Sequence, residues 1–475
     1  MLIYWLEQSL VGTVAAVLLT VVWLMLASRD LSLGVALLII ELILGSQGYW
    51  FSLKIGETVL SLRLALFLAA FGLLIWRLVA QRTLKIFSHP MLWWYAGAVV
   101  ALVFGTVVAA LRGNDFGNLF LDLNGYLYLG LFPLFIEAVG QTNFITWLKK
   151  LALPALVWLT FKTLLALYLF SHLTPDALLP FYQWWRQTGL GEITPAGGGF
   201  FRIFSQSHVW AAMAVAAGWA YLWQRLSKQI DLKKDLSLLS VLFVALVALL
   251  ASLSRSFWLG VAVVWIITPL FGRSFSLARL GRYILYSLVL SLAAAGLLLT
   301  TTKLAWPLPP LGATSAEVFS QRFGAGEAAG QSRLQLFQPL LQATLQHPII
   351  GSGFGSTVTY HTQDPRLVRS TAGGSGIVTT YAFEWGYLDL WLKLGLVGLL
   401  LYFGFMLRGL WPGIYALRTK HELQITDVVL LAAVALAVLN ITTPYLNHPL
   451  GLGALMLFIA LAWQERLTPA KSYGQ

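Results

Sequence analysis

The chain has 475 residues, of which 58% are hydrophobic and only 11% are charged. Soluble domains carry about 25% charged residues, so a soluble fold of this length could not hide its apolar surface, whereas a bilayer can cover it. Cysteine is absent, which excludes disulfides, thiolate metal sites and cysteine nucleophiles. The net charge of +12 is expected in cytoplasmic loops rather than on a nucleic-acid-binding surface.

Apolar segments of membrane-spanning length follow one another along the whole chain. A transmembrane helix needs roughly 17–25 such residues. The sequence therefore predicts an all-α polytopic membrane protein, a single transmembrane domain over 1–475 with about 12–13 transmembrane helices, of which the second and the last are weak or short. The segments are 9–27, 31–49, 62–80, 91–111, 120–139, 151–171, 208–225, 237–253, 256–272, 283–302, 393–412, 427–445 and 449–464.

Every second loop between these segments is basic, and the positive-inside rule assigns basic loops to the cytoplasm. The loops that face outward then include an outer loop at 172–207 and a large extracytoplasmic loop at 303–392. Long loops in compact proteins are usually functional or disordered, and helix-like sequence in the second one predicts an ordered cap. The basic positions are Arg77, Arg82, Lys85, Lys149, Lys150, Arg225, Lys228, Lys233, Lys234, Arg273, Arg279, Arg282, Arg408, Arg418, Lys420, Arg466 and Lys471.

The outward loops also hold cations that the positive-inside rule does not explain, and six arginines among them stand out. A guanidinium group is a planar fork that suits bidentate contact with phosphate. Arg255 stands between two apolar runs with almost no loop, so it is either a snorkelling side chain or part of an anion site, and we favour the anion site. The six residues are Arg202, Arg255, Arg322, Arg333, Arg366 and Arg369.

Acidic residues are fewer on this predicted face. Glu384 lies among Tyr381, Phe383 and Trp385, where a carboxylate is expected to be partly desolvated and could act as a general base. The alternative is an ion pair with a nearby arginine. Four residues separate Asp389 from Lys393, a spacing that predicts a simple ion pair within one helix.

Two further patterns have alternative interpretations. The glycine-rich segment 351–356 lacks the lysine of a phosphate-binding loop, so a tight turn is favoured over phosphate binding by backbone N–H groups. A late apolar segment is interrupted by Asn440, Thr442, Thr443 and Pro444. They indicate either a broken helix lining a cavity, as in transporters, or a helix end.

Taken in order, these motifs resemble the O-antigen ligase and polymerase superfamily of bacterial membrane glycosyltransferases. Phe201–Arg202–Ile203–Phe204 resembles the arginine that opens a span after an outer loop, and Leu253–Ser254–Arg255–Ser256 resembles the family's Ser-Arg turn between two spans. The long-loop pattern of Arg, short helix, Pro and Gly-x-Gly is matched by Ser332–Arg333–Leu334, Pro348, Gly351, Gly353 and Gly355, followed by Tyr387–Leu388 and Gly395–Leu396–Val397–Gly398. The resemblance covers roughly 200–412 and implies a fold like that of class C glycosyltransferases.

The chain departs from the family pattern at one position that matters for function. Ligases of the family usually carry a His-Asn pair before Tyr-Leu, whereas Glu384 and Trp385 stand there in this chain. If Glu384 takes the place of the family's proposed base, the departure favours a polymerase over a ligase. The resemblance then implies transfer of a glycan from an undecaprenyl-diphosphate-linked oligosaccharide to a sugar hydroxyl at the outer face of the bacterial cytoplasmic membrane.

In this interpretation the diphosphate is bound by Arg202, Arg255, Arg322 and Arg333, and catalysis depends on Glu384, Arg255 and Arg333. The reaction would invert the anomeric centre and use neither a metal nor a cofactor, with a flippase and chain-length regulators as candidate partners. Two alternatives remain at this point. One is an O-antigen ligase that transfers the glycan to lipid A core or to protein, and the other is a membrane transporter for a solute or an anion.

Overall fold

Helices dominate the structure, a computed structural model that describes residues 10–55, 58–196, 199–227, 232–271, 275–310, 328–369, 371, 374–419 and 425–467. Each predicted apolar segment contains a helix. The helices are α1 Leu10–Arg29, α2 Leu31–Gly45, α3 Leu62–Gln81, α4 Leu92–Leu111, α5 Phe116–Asn124, α6 Phe132–Val139, α7 Phe144–His172, α8 Pro175–Gln187, α9 His208–Arg225, α10 Leu232–Ala251, α11 Arg255–Phe271, α12 Leu277–Lys303, α13 Ala328–Gln346, α14 Pro365–Val368, α15 Gly386–Thr419, α16 Ile425–Leu439 and α17 Pro449–Leu467. Two short 3-10 helices span Lys85–Ser88 and Tyr126–Leu131.

Strands occur only as short antiparallel hairpins in the described part of the chain. The strand β1 Ser52–Ile55 pairs with β2 Thr58–Ser61, β3 Glu192–Pro195 with β4 Phe201–Phe204, and β5 Val358–His361 with β6 Ile377–Thr380. The second hairpin lies in the predicted outer loop, and the third lies in the predicted large loop. The structure thus confirms an all-α polytopic membrane protein.

Seven described helices are long and apolar enough to cross a membrane. The segment predicted as one continuous span at 120–139 is broken instead, with a bend of 42° between its two parts, and would be an eighth span. Gly125 lies at the break because a Cβ there would be 2.2 Å from the carbonyl oxygen of Asn447. Four further apolar helices are shorter, among them α2, which ends at Gly45 rather than at the predicted residue 49.

The loops fall into two groups, as the alternation of charge predicts. In one group Asn114 donates to the carbonyl oxygen of Phe354 at 2.8 Å, and Tyr445 donates to that of Gln206 at 3.1 Å. The first contact joins the loop 112–119 to the loop 303–392, and the second joins the loop 172–207 to the connection before α17. A hydrogen bond from Asn447 to Asp389 links the two pairs, and we call the described parts of these loops the capped face. In the other group Trp147 donates to Asp30 at 2.9 Å, and the ring of His89 packs on that of Trp463. This basic face lies at the opposite ends of the helices.

The glycine-rich turn of the large loop is wedged between three helices. Gly351, Gly353 and Gly355 have φ of 80°, 81° and 74°, and a Cβ on Gly353 would lie 2.4 Å from the backbone nitrogen of Ala109. The turn packs against Gly395, where α15 has φ of 63° and is broken. Glycine alone tolerates this backbone at such close approach.

The N–H groups of this turn donate within the protein. Ser352 donates to the carbonyl oxygen of Leu392 at 2.6 Å, and Gly355 donates to Oδ2 of Asp122 at 2.8 Å. The prediction of a tight turn is therefore confirmed. Binding of a phosphate by the backbone here would require these N–H groups, which already donate to oxygen atoms of the protein.

A buried charge cluster fixes the same region. The Nζ of Lys393 lies 2.5 Å from Oδ1 of Asp122 and also forms an ion pair with Asp389, which accepts a 2.9 Å hydrogen bond from Asn447. The Lys393 side chain is 1% exposed. The predicted pair of Asp389 and Lys393 is confirmed, but the sequence did not indicate Asp122, which comes from a distant helix.

Asn440 marks a helix end rather than a broken helix. α16 ends at Leu439, and Oδ1 of Asn440 accepts from the N–H groups of Tyr445 and Leu446 at 2.8 and 2.9 Å. The interrupted segment therefore closes a tight connection to α17. This removes the sequence feature that favoured a transporter.

We predict that the capped face is extracytoplasmic, because the basic loops lie at the other ends of the helices. Ser375→Cys, on the capped face, should react with an impermeant maleimide in spheroplasts, whereas Ser227→Cys should react only after lysis. Both serines are exposed and the chain has no native cysteine, so the two variants are matched. Labelling of Ser227→Cys alone in intact spheroplasts would reverse the orientation.

Lys393→Met should destabilise the protein strongly. It leaves two buried carboxylates without their cation, and breaking a buried ion pair typically costs about 3–5 kcal/mol. Thermal unfolding of the purified protein in detergent measures the loss, with Lys149→Met on an exposed lysine as the control. Equal melting temperatures for the two variants would mean that the cluster does not hold the capped face.

Candidate functional site

The site begins at the tight turn between α10 and α11. Leu253 has φ of 43°, and the N–H of Ser254 donates to Oγ of Ser252 at 3.2 Å. This reversal takes only three residues, so Arg255 becomes the first residue of α11. Its guanidinium group therefore leaves the helix bundle at the capped face.

The Arg255 side chain reaches the start of α13. A Cβ on Gly330 would lie 3.6 Å from a terminal nitrogen of Arg255. Arg333 follows Gly330 by three residues, one turn along the same helix, and lies close enough for its positive charge to oppose that of Arg255. The structure thus brings together two arginines that are separated by 78 positions in the sequence.

Arg333 is bound to Glu384. Its Nε lies 2.5 Å from Oε2 of Glu384, and Nη2 lies 3.5 Å from Oε1. The side chains are 30% and 52% exposed. Trp385 supports the pair, because its indole donates to the carbonyl oxygen of Arg333 at 2.8 Å and packs edge-on against Phe337.

Arg202 approaches the same turn from the hairpin of β3 and β4. Its Nε donates to the carbonyl oxygen of Ser252 at 2.9 Å, and its guanidinium carbon lies 4.5 Å from the ring centroid of Phe204. Glu192, on the partner strand, lies 3.8 Å from Nη1 of Arg202. The Arg202 side chain is therefore hydrogen-bonded to the backbone of the turn that precedes Arg255.

Part of the chain matches a known protein family. Residues 238–403, about one third of the chain, match the family model described as O-antigen ligase. This segment belongs to the O-antigen ligase and polymerase superfamily. No curated protein matches the chain. The family domain holds Arg255, Arg333 and Glu384, whereas Arg202 precedes it.

The O-antigen ligase domain implies a glycosyltransferase-like enzyme with lipid-linked glycan substrates. Together with the apolar helices, it indicates a multi-pass protein of the bacterial inner membrane. It does not separate ligases from polymerases. In the described part of the chain, no group of three or more His, Asp or Glu residues could hold a metal ion.

The surroundings of Glu384 differ from the prediction. We expected aromatic rings to desolvate the carboxylate, but Phe383 packs away from it in a separate buried cluster with Leu336 and Tyr360. Glu384 is left exposed beside Arg333. The expectation of an enclosed carboxylate is wrong, and the alternative, an ion pair with a nearby arginine, is confirmed as a contact.

Three further arginines were singled out in the outward loops. Arg322 lies outside the described residues. Arg366 belongs to the short helix α14, and Arg369 is exposed just after that helix. Neither Arg366 nor Arg369 was among the predicted site residues.

A pair of buried hydroxyl contacts beside Arg255 was not predicted. Oγ of Ser256 lies 2.7 Å from Oγ1 of Thr443 and 3.2 Å from Oγ of Ser254. They tie the Arg255 turn to the connection between α16 and α17. The serines on either side of Arg255 were the visible signal, but the sequence could not reveal their partner almost two hundred residues away.

Proposed function

We propose that the protein is a polymerase of a bacterial surface polysaccharide, of the O-antigen or exopolysaccharide type. It would transfer glycan from an undecaprenyl-diphosphate-linked donor to a sugar hydroxyl at the outer face of the cytoplasmic membrane. The observation that carries the proposal is the placement of Arg255 beside α13 and Arg333, with Glu384 bound to Arg333.

Two neighbouring arginines favour an anionic ligand. Like charges at short range repel each other, and an anion between them turns this repulsion into attraction. The leaving group of the proposed reaction is a lipid diphosphate, whose negative charge increases as its bond to the sugar breaks. Preorganised guanidinium groups would stabilise that charge without the reorganisation that water requires.

Glu384 can act beside an arginine that binds phosphate. A guanidinium group has five N–H donors, and Arg333 uses Nε and Nη2 on Glu384. Its other terminal nitrogen remains for the diphosphate. Because about half of the Glu384 side chain is exposed, at 52%, an acceptor hydroxyl could approach the carboxylate from solvent.

The proposed step needs neither a metal nor a cofactor. The acceptor oxygen attacks the anomeric carbon, and its proton passes to the Glu384 carboxylate. The bond from that carbon to the phosphate oxygen breaks on the opposite side, so the configuration inverts. The lipid diphosphate then leaves, held by Arg255 and Arg333, with Arg202 completing the positive surface.

The second candidate is the ligase reaction, which the description of the matched family favours. It would use the same donor site and pass the glycan to lipid A core or to a protein. We favour the polymerase because Glu384 stands where ligases of the family usually carry histidine. The two reactions differ in product, since only a polymerase yields a ladder of glycan lengths on the lipid.

Removing either arginine should abolish transfer in a folded protein. We expect Arg255→Ala and Arg333→Ala to lose activity in proteoliposomes with a fluorescent lipid-linked donor. Arg255→Lys should rescue poorly, because an ammonium group lacks the planar fork. Arg369→Ala, on an exposed arginine near α14, is the control and should retain activity. Wild-type turnover in Arg255→Ala would reduce this residue to a membrane anchor.

Glu384→Gln should lower turnover by about 10²–10⁴-fold, the usual contribution of a general base. Binding of the donor should change little. Stability should also change little, since exposed ion pairs typically contribute about 0–1 kcal/mol. Single-turnover rates and melting temperature, measured on one preparation, separate the two roles. A full rate with a clearly lowered melting temperature would make Glu384 a structural residue and place the base elsewhere.

A further inference from the structure

A cavity of about 330 Å³ lies between α1, α2 and α3, far in sequence from the family domain. It extends up to the loop that joins α2 to β1. Its walls are apolar except for Glu41, and they include Leu19 and Val22 of α1, Leu37 of α2 and Leu66 of α3. The volume is in the range of ligand-binding cavities.

A tight hairpin of two helices creates one wall of this cavity. α1 and α2 reverse at Asp30, whose side chain accepts from the N–H of Leu33 as the cap of α2. Near the reversal the helices touch so closely that a Cβ on Gly34 would lie 2.4 Å from Cβ of Ala27. The cavity occupies the space between the helices beyond this contact, towards the capped face.

Glu41, the charged group in the wall, forms an ion pair with Arg63. Glu41 receives two hydrogen bonds of 2.9 Å from Arg63, one to each oxygen, and the side chains are 11% and 7% exposed. A paired and hydrogen-bonded charge presents little net charge to its surroundings. The wall at this point therefore tolerates hydrocarbon.

The cavity is accessible from the side of the protein that faces lipid. Leu19 and Val22 line it and yet are each 44% exposed on α1, a candidate membrane span. A water molecule in such a place would lack the two to four polar partners that it needs. A hydrocarbon chain from the bilayer meets no such cost.

Gly45 and Gly48 line the cavity near the capped face, and the two residues between them contact the loop 172–207 on either side of the Arg202 hairpin. The N–H of Ser46 donates to Oγ of Ser207 at 2.9 Å, and that of Gln47 donates to the carbonyl oxygen of Gly189 at 3.3 Å. An amphiphile with its chain in the cavity would thus direct its polar head towards the loop 172–207. That loop carries Arg202.

We infer that this cavity binds the polyprenyl chain of the lipid-diphosphate-linked donor and so holds the diphosphate near the arginines. The inference rests on the proposed function for the identity of the lipid. Its own basis is the apolar lining, the opening to the bilayer and the contact between the outer loop and the chain at the end of the cavity nearest the capped face. The cavity would select a hydrocarbon chain, while the arginines select the diphosphate.

Photo-cross-linking of the full chain in lipid nanodiscs tests this inference. The probe is a polyprenyl diphosphate with a diazirine in its chain, and the expected cross-links lie on peptides from α1 and α2. Val22→Trp should reduce them by about tenfold, because the larger side chain occupies the space that the hydrocarbon chain would fill. Val21→Trp is the matched control, since Val21 is the adjacent valine, is 46% exposed and does not line the cavity.

The competitors distinguish the source of the chain. Excess undecaprenyl diphosphate should suppress the cross-links, and excess phosphatidylglycerol should not. Suppression by both lipids, or cross-links of wild-type protein that map elsewhere, would overturn the inference. Cross-links in α1 and α2 from a protein that transfers no glycan would uphold this binding site and reject the proposed reaction. Active transfer without these cross-links would reject this binding site and uphold the proposed reaction.

Discussion

The ammonium group of Lys393 holds together segments of the capped face that lie far apart in the sequence. It pairs with Asp122 from the broken span and with Asp389 from its own helix, while Asp122 also accepts from the N–H of Gly355 and Asp389 from Asn447. Two carboxylates and one cation with almost no exposure are stable only when held together. Four segments of the chain are therefore fixed relative to one another at the membrane boundary.

The proposed site depends on this fixed region. α15 begins at Gly386, just before the cluster, so the position of Glu384 is set by the start of that helix. Trp385 then holds α13 through its hydrogen bond to Arg333, and α13 in turn meets Arg255 at Gly330. Glu384, which lies on a loop, thus acquires a rigid support beside the two arginines, as the alignment of several groups with one diphosphate requires.

Local features of the sequence predicted the helices, because hydrophobic length and loop charge need no knowledge of distant contacts. The break at Gly125 was missed since its cause is the carbonyl group of Asn447, more than three hundred residues away. The exposure of Glu384 was missed for a similar reason. Phe383 packs in a cluster with Leu336 and Tyr360, which are distant from it in the sequence. The cavity between the first helices also arises only from their packing.

The most direct test is an experimental structure of the purified protein bound to undecaprenyl diphosphate in nanodiscs. We expect diphosphate density on the capped face within hydrogen-bond distance of the guanidinium groups of Arg255 and Arg333. Glu384 should remain beside Arg333 and face the space where an acceptor hydroxyl would enter. Diphosphate density bound elsewhere, with Arg333 and Glu384 facing only each other, would contradict the proposed site.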